Sequence, residues 1–435
     1  MFIVGYRRFV FVTLTLGFTA AYGAAFQLGE HSANAIGRSL AGYGVVGDDA
    51  SAAFFNPAGL VLLDRLTVQN GLFYVTSRFE FENQGSRQFL SGLSAPSRGI
   101  DDDGGRDGLV PSLYALAPLG ERARVALGIT APFGLATDYA ADWVGRYHAL
   151  RSELKTIDIN PSFAYRISGQ LSLGAGVSVQ YADATLSRAV FVFDPASGNP
   201  LADGFARVEG DDWSVGYDLG LMFEWDTRTR FGAGYRSKVD HTLRGTRKLE
   251  GVPGQPSVVA GEAELNLPDT LYLGAYRRLN EHLTLTGGAR WTRWSRFQET
   301  RIRFADGSPD EVTVQNWEDS WTFSAGLDYV CYPHWTLRAG YGYDQTPVPS
   351  ARFRSPRIPD NDRHWLSVGA SYRPDETWNF SFGYAHVFFD SARIENTVDL
   401  VPANIAPSGT FTDTLIGEYH TPGSDSIGAQ LVYAF

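Results

Sequence analysis

Trp335–Asp344 reads WTLRAGYGYD, and its alternation is strict. Trp335, Leu337, Ala339, Tyr341 and Tyr343 fall on one face of an extended chain; Thr336, Arg338, Gly340, Gly342 and Asp344 fall on the other. A period of two marks a strand with one apolar face. Leu171–Ala182 and Trp378–Ala385 repeat the pattern. Such strands also build soluble sandwiches. Here, however, the runs span roughly ten residues or more and end in aromatics, as tilted membrane strands do. Their polar faces carry Gly and Ser, where a soluble surface more often shows Lys and Glu.

Outward from that strand, alternating segments near 66–82, 109–118, 123–137, 153–167, 170–190, 211–226, 229–247, 263–279, 282–304, 311–330, 334–344, 362–373, 376–390 and 423–435 predict about fourteen strands, an even number suited to a membrane barrel. Every second connection is tight, as at Ser168–Gly169, Asp226–Thr229 and Cys331–Pro333. The intervening ones are mostly long: Asn83–Gly108, Phe191–Gly210, Gln345–Asn361 and Ser391–Pro422. Short periplasmic turns alternating with long external loops are expected of an outer-membrane barrel and not of a sandwich. The chain closes on Leu431-Val432-Tyr433-Ala434-Phe435, an alternating strand with a terminal aromatic.

Composition agrees. The 435 residues carry 20% charged and 14% aromatic side chains, and the net charge of −11 argues against a nucleic-acid partner. Cys331 is the single cysteine, so neither a disulfide framework nor a cysteine zinc site is available. Met1–Gly23 has Arg7 and Arg8, an apolar run from Phe9 to Ala20 and small residues at Ala21 and Gly23, the layout of a cleaved export signal. No later stretch is apolar over the ~18 residues that a membrane helix needs. Ala24–Leu63 lacks alternation, is crowded with Gly and Ala, and ends in the turn-former Asn56-Pro57-Ala58-Gly59. A wide barrel would leak unless filled. The segment therefore reads as a plug whose tip, Asn56–Gly59, touches the wall, with residues 64–435 forming the barrel.

The third strand carries Ala131-Pro132-Phe133-Gly134. Pro132 removes a ladder donor and Gly134 a side chain, so the ladder is expected to break there, at least as a bulge.

Taken in order, Ala25-Phe26-Gln27-Leu28, Asp48-Asp49-Ala50, Asn56-Pro57-Ala58, Phe133–Tyr139, Leu265-Asn266-Leu267-Pro268, Pro347-Val348-Pro349 and Ile358–Arg363 make the chain similar to the FadL (OMPP1/FadL/TodX) family of outer-membrane channels for long-chain fatty acids and other hydrophobic compounds. The resemblance covers nearly the whole mature chain. It implies a monomeric, fourteen-stranded barrel plugged by an N-terminal hatch, with a side opening at the kinked third strand. Apolar cargo would leave sideways into lipid, with no energy source and no cofactor. On this reading Asn56–Gly59 rests against the kink and gates it. The resemblance also places Arg188 where a carboxylate-binding arginine is expected. No match appears for a second cationic partner: the Val314–Asp319 region offers Glu318 and Asp319 but no Lys. That departure leaves room for neutral hydrocarbons or aromatic compounds as cargo. Asp344 and Arg363 are expected to pair in the lumen and brace the hatch.

Other chemistry is poorly supported. Asp101-Asp102-Asp103-Gly104-Gly105 lacks the later ligands of a calcium loop, the eight histidines show no metal spacing, and no motif supports a lipid hydrolase. The expectation is a transporter rather than an enzyme, with a structural or adhesive barrel as the remaining rival.

Overall fold

The computed structural model describes residues 25–194, 201–401, 406–420 and 423–435, so the expected leader Met1–Gly23 lies outside the described residues. Fourteen wall strands follow in chain order: β1 (Thr67–Thr76), β2 (Gly108–Leu119), β3 (Ala123–Thr130 and Gly134–Asp138), β4 (Arg151–Arg166), β5 (Leu171–Val190), β6 (Gly204–Asp226) and β7 (Thr229–Arg236 and Val239–Glu250). The circuit continues through β8 (Val258–Leu267 and Thr270–Arg278), β9 (Leu283–Thr292 and Glu299–Phe304), β10 (Glu311–Val314 and Ser320–Tyr332), β11 (Trp335–Asp344), β12 (Arg363–Tyr372), β13 (Trp378–Phe389) and β14 (Ser424–Ala434). Neighbours pair antiparallel throughout, and β14 returns to β1 in the register Thr67↔Ala434 to Thr76↔Asp425. The ring is closed, which removes the free edges that lipid would leave unsatisfied.

Alternation decides which side faces out. Near the short turns Trp225, Tyr332, Trp335 and Trp378 are exposed; toward the other end of the strands so are Trp213, Trp321, Tyr341 and Phe388. These are the two aromatic girdles of a membrane barrel, with Leu, Val and Phe between them.

The long connections are more ordered than an external loop needs to be. Residues from two of them, Glu80–Asn83, Arg87–Leu90, Leu93–Pro96, Ala392–Asp399 and Phe411–His420, form a separate five-stranded sheet capping one end of the barrel. Phe81, Ile394, Leu415 and Tyr419 are buried beneath it, so it has an apolar face of its own.

Residues 25–63 lie in the lumen, almost all of them buried. Two short helices (Ala33–Ile36 and Ala52–Phe55) and a 3-10 turn (Pro57–Leu62) pack backbone-first against the inward faces of the strands. This explains the glycines on those faces. A Cβ at Gly340 would overlap the carbonyl of Arg38, one at Gly383 that of Ala33, and one at Gly234 that of Phe55. The wall is stripped of side chains where the lumen segment's main chain approaches.

Gly234→Val should therefore unseat the segment while leaving the wall intact. The expected result is a rise in small-ion conductance across planar bilayers, with the heat-resistant barrel band on a gel unchanged.

Candidate functional site

The wall is interrupted where the sequence places Ala131–Gly134. On the β4 side the register runs from Ala123↔Tyr165 to Thr130↔Asp158, then resumes at Gly134↔Lys155, so three residues stand opposite two. Thr156 fills the bulge: its hydroxyl accepts from the Phe133 amide (2.9 Å) and donates to the Phe133 carbonyl (2.7 Å). On the β2 side the ladder runs from Leu119↔Ala123 to Leu113↔Ile129 and returns only at the bridge Gly105↔Thr137. Between residues 106–112 and 130–136 no backbone pairing joins the two strands among the described residues. Pro111 and Pro132, one in each stretch, lack a donor altogether.

The lumen segment answers the orphaned groups from inside. The Leu28 amide donates to Pro132 O and the Gly134 amide to Phe26 O, both at 2.9 Å. Leu28 packs where a Cβ on Gly134 would stand. Across the opening, the Ser112 hydroxyl of β2 donates to His31 O (3.2 Å). Residues 26–31 are thus a strap spanning the breach, tied to β3 at one end and β2 at the other.

This corrects the expected position of Asn56–Gly59. Asn56 donates from its side-chain nitrogen to Leu221 O (3.0 Å) and caps the turn by accepting from the Ala58 amide (3.2 Å). Pro57 and Ala58 sit over Gly174 of β5 and Gly220 of β6, and Asn56 also reaches Gly232 of β7. The tip touches the wall there because those glycines leave room for it, and the segment hydrogen-bonded to the kink is Phe26–Leu28. The sequence signal is Ala25-Phe26-Gln27-Leu28, a short motif that by itself does not say what it touches.

Behind the strap lies a cavity of about 1690 Å³. Its floor includes Phe26, whose ring meets Trp294 (4.8 Å between centroids), Phe297 (5.6 Å), Trp317 (5.8 Å) and Phe133 (6.0 Å). Trp294, Phe297 and Trp317 come from the interruptions of β9 and β10, which bend inward opposite the kink. The cap roofs the cavity with Leu400 and Val401.

One part of the lining is cationic. Arg188, at the far end of β5, pairs with Glu311 (3.2 Å). Arg357 stands beside them from the loop between β11 and β12, donating to Ser152 Oγ (3.0 Å) and to the carbonyls of Arg151 and Ser187 (3.3 Å each). Burial, then the neighbouring Arg188, push the Arg357 guanidinium down to about 10, with Glu311 pulling the other way. Arg188 thus pairs with Glu311, while Arg357 hydrogen-bonds only neutral groups among the described residues, which leaves its charge open to an anion. Arg357 precedes the Ile358–Arg363 motif by one residue; spacing alone gave no hint that the loop folds back onto β5.

Asp344 and Arg363 do face each other, as register partners on β11 and β12. Asp344 accepts from Arg290 (3.2 Å) and Thr322 (2.5 Å), however, and Arg363 pairs with Asp360. The ion pairs linking the lumen segment to the wall lie elsewhere. Arg38 binds Asp48 and the wall residue Asp328, each at 2.8 Å, and Arg338 of β11 approaches both carboxylates at 3.5 and 3.6 Å. Asp49 gathers Ser32 (2.5 Å), Asn34 (3.0 Å) and Gln430 of β14 (3.1 Å). The acids of Asp101–Asp103 cap backbone amides of Asn83, Ala140 and Phe79.

A closed antiparallel wall of even strand number, lipid-facing outside and filled within, defines a bacterial outer-membrane β-barrel. The chain belongs to the family described as "Outer membrane protein transport protein (OMPP1/FadL/TodX)", which matches residues 14–421. It is 29% identical over 406 residues to the long-chain fatty acid transport protein of Escherichia coli O6:H1, covering 86% of this chain and 89% of the relative. It is also 29% identical over 407 residues to outer membrane protein P1 of Haemophilus influenzae, covering 84% and 86%. Among solved structures, the Pseudomonas aeruginosa FadL homologue superposes with a TM-score of 0.84 at 24% identity, covering 95% of this chain and 100% of that one. The Ralstonia pickettii toluene transporter TbuX gives 0.65 at 19% identity, covering 93% and 99%. At those identities the two structures speak to the fold alone.

Arg38→Ala would leave the buried Asp328 and the half-buried Asp48 with only Arg338 in ion-pair distance among the described residues. Breaking a buried pair from one side costs about 3–5 kcal/mol. The expected readout is a lower midpoint for loss of lumen-segment protection, measured by proteolysis in increasing urea.

Proposed function

We propose that the protein is a passive importer of long-chain fatty acids or similar hydrophobes bearing a carboxylate, acting as a monomer among outer-membrane lipids. The single observation that carries this reading is the arrangement of cavity, strap and breach. Phe26 lines the cavity on one side and hydrogen-bonds the kink on the other. Withdrawal of Phe26–Leu28 would join the cavity to the unpaired stretch between β2 and β3. Each buried CH₂ is worth ~0.8 kcal/mol, so a long acyl chain resists passing into the aqueous periplasm. Sideways exit into hydrocarbon avoids that cost, and the concentration gradient suffices to drive it. No covalent bond is made or broken, and no cofactor is needed.

Arg188 and Arg357 would receive the head group while the chain lies along the aromatic floor. The similarity to the long-chain fatty acid transport protein of Escherichia coli O6:H1 supports a fatty-acid cargo. A second reading, a neutral aromatic cargo such as toluene, is favoured by Phe26 and Phe297 in the cavity lining, which Trp294 and Trp317 back from behind. The hatch in this account is residues 24–63, with Asn56–Gly59 as its anchor on β5–β7 and Ala131–Gly134 as the frame of the exit. Asp344 and Arg363 would stiffen the wall beside it.

Two experiments test the reading. A charge-assisted hydrogen bond contributes about 1.5–3 kcal/mol, so Arg188→Ala or Arg357→Ala should weaken oleate binding by roughly ten- to a hundredfold. Toluene uptake should be unchanged; the reverse pattern would favour the aromatic cargo, and no change with either would remove the head-group site. Deleting one residue within Ala131–Phe133 makes two residues stand opposite two. A folded barrel that binds oleate but no longer passes it to the membrane is expected, whereas normal uptake would exclude the side exit.

A further inference from the structure

Within the strap, Glu30 and His31 are fully buried yet largely unpartnered. One Glu30 oxygen accepts from the Gly29 amide (2.9 Å), while the other has no hydrogen-bond partner among the described residues. Neither ring nitrogen of His31 has one either; the ring stacks on Phe54 at 3.6 Å and meets Phe55 edge-on. No basic nitrogen lies within ion-pair distance of the Glu30 carboxyl among the described residues. The groups facing the pair are already engaged: Arg290 of β9 with Asp344 and Thr322, Arg236 of β7 with Asp158, and Ser426 of β14 carries no charge. A buried carboxyl with no cationic partner cannot ionise cheaply, nor can a buried imidazole with no anionic one. Natural structures rarely retain such groups without a use.

We propose that Glu30 is a protonation latch: the strap closes over the breach while Glu30 is neutral, and ionisation of Glu30 in contact with water releases it. The position supports this. Glu30 lies two residues after Leu28, which holds the β3 edge, and one before His31, whose carbonyl holds the β2 edge. Any hydration of the carboxyl has to move one tie or the other. This inference rests on the transport reading above and adds to it a regulation of the same exit.

The sign distinguishes the two buried groups. Burial raises Glu30 above the ordinary carboxylate value, so the closed strap binds a proton that the open one loses. Closure is then favoured at low pH and weakened as pH rises. Burial pushes His31 down to about 3, so His31 is neutral when closed and gains a proton when open. A histidine latch would therefore release on acidification, the opposite direction.

The test is amide hydrogen exchange on the purified full chain in detergent micelles at pH 5, 7 and 8.5, corrected for intrinsic rates. Protection of peptides covering residues 26–31 and 132–136 should fall at least tenfold from the lowest to the highest pH, with the other wall strands unchanged. Glu30→Gln should remain protected throughout, and His31→Asn should keep the wild-type profile. A flat wild-type profile, release on acidification, or a Glu30→Gln profile matching wild type would overturn the latch. Oleate uptake by cells at one fixed pH tests the transport reading separately. Uptake alongside flat exchange sinks the latch alone; pH-dependent exchange without uptake sinks the transport reading and leaves the latch standing.

Discussion

Hydrocarbon offers no hydrogen bonds, so every backbone amide and carbonyl at membrane depth must find its partner within the protein. Along most of this wall the neighbouring strand supplies them. Between residues 106–112 and 130–136 it does not, and the groups of the kink turn instead to Thr156 and to the main chain of Phe26–Leu28. The breach is tolerable in lipid because the strap is there. The same bonds that satisfy the wall are therefore the ones an exit would have to give up. On the proposed function, sealing and gating would be one property of one six-residue segment.

The rest of the lumen segment is arranged to hold the strap in place without filling the lumen with rigid apolar packing alone. Glycines on the inward faces of β6, β7, β11 and β13 let its backbone lie against the wall, and the Arg38–Asp48–Asp328–Arg338 cluster fixes its orientation. Buried ion pairs are modest sources of net stability, because desolvation opposes the attraction. They do penalise misplacement, since a shifted partner leaves a bare charge. Such a segment is positioned firmly as a whole, and its N-terminal end is held by the strap's hydrogen bonds together with the packing of the Phe26 ring.

The cavity shows a similar division of labour. Interruptions in β9 and β10 cost ladder hydrogen bonds but bring Trp294, Phe297 and Trp317 inward to meet Phe26. An aromatic floor accepts apolar matter of many shapes. The Arg188–Glu311–Arg357 cluster at the other end is charged and depends on geometry. On the proposed function, discrimination between a carboxylate amphiphile and a neutral hydrocarbon would fall to a few groups on β5, β10 and one loop.

Residue order alone determined the barrel, its strand number, the orientation of its faces and the break at Pro132, because alternation, turn length and a missing donor are local properties. Phe26, Asp48 and Asp49 were visible as short motifs, although nothing local said what they touch. Only the tertiary structure decided that Asn56–Gly59 sits on β5–β7, that Phe26–Leu28 meets the kink, and that Arg357 comes to Arg188 from 169 positions away along the chain. Strand pairing repeats a rule at every residue and so can be read from sequence. The docking of an irregular segment inside a closed wall depends on where glycines leave space and charges lack partners, which exists only once the wall has closed.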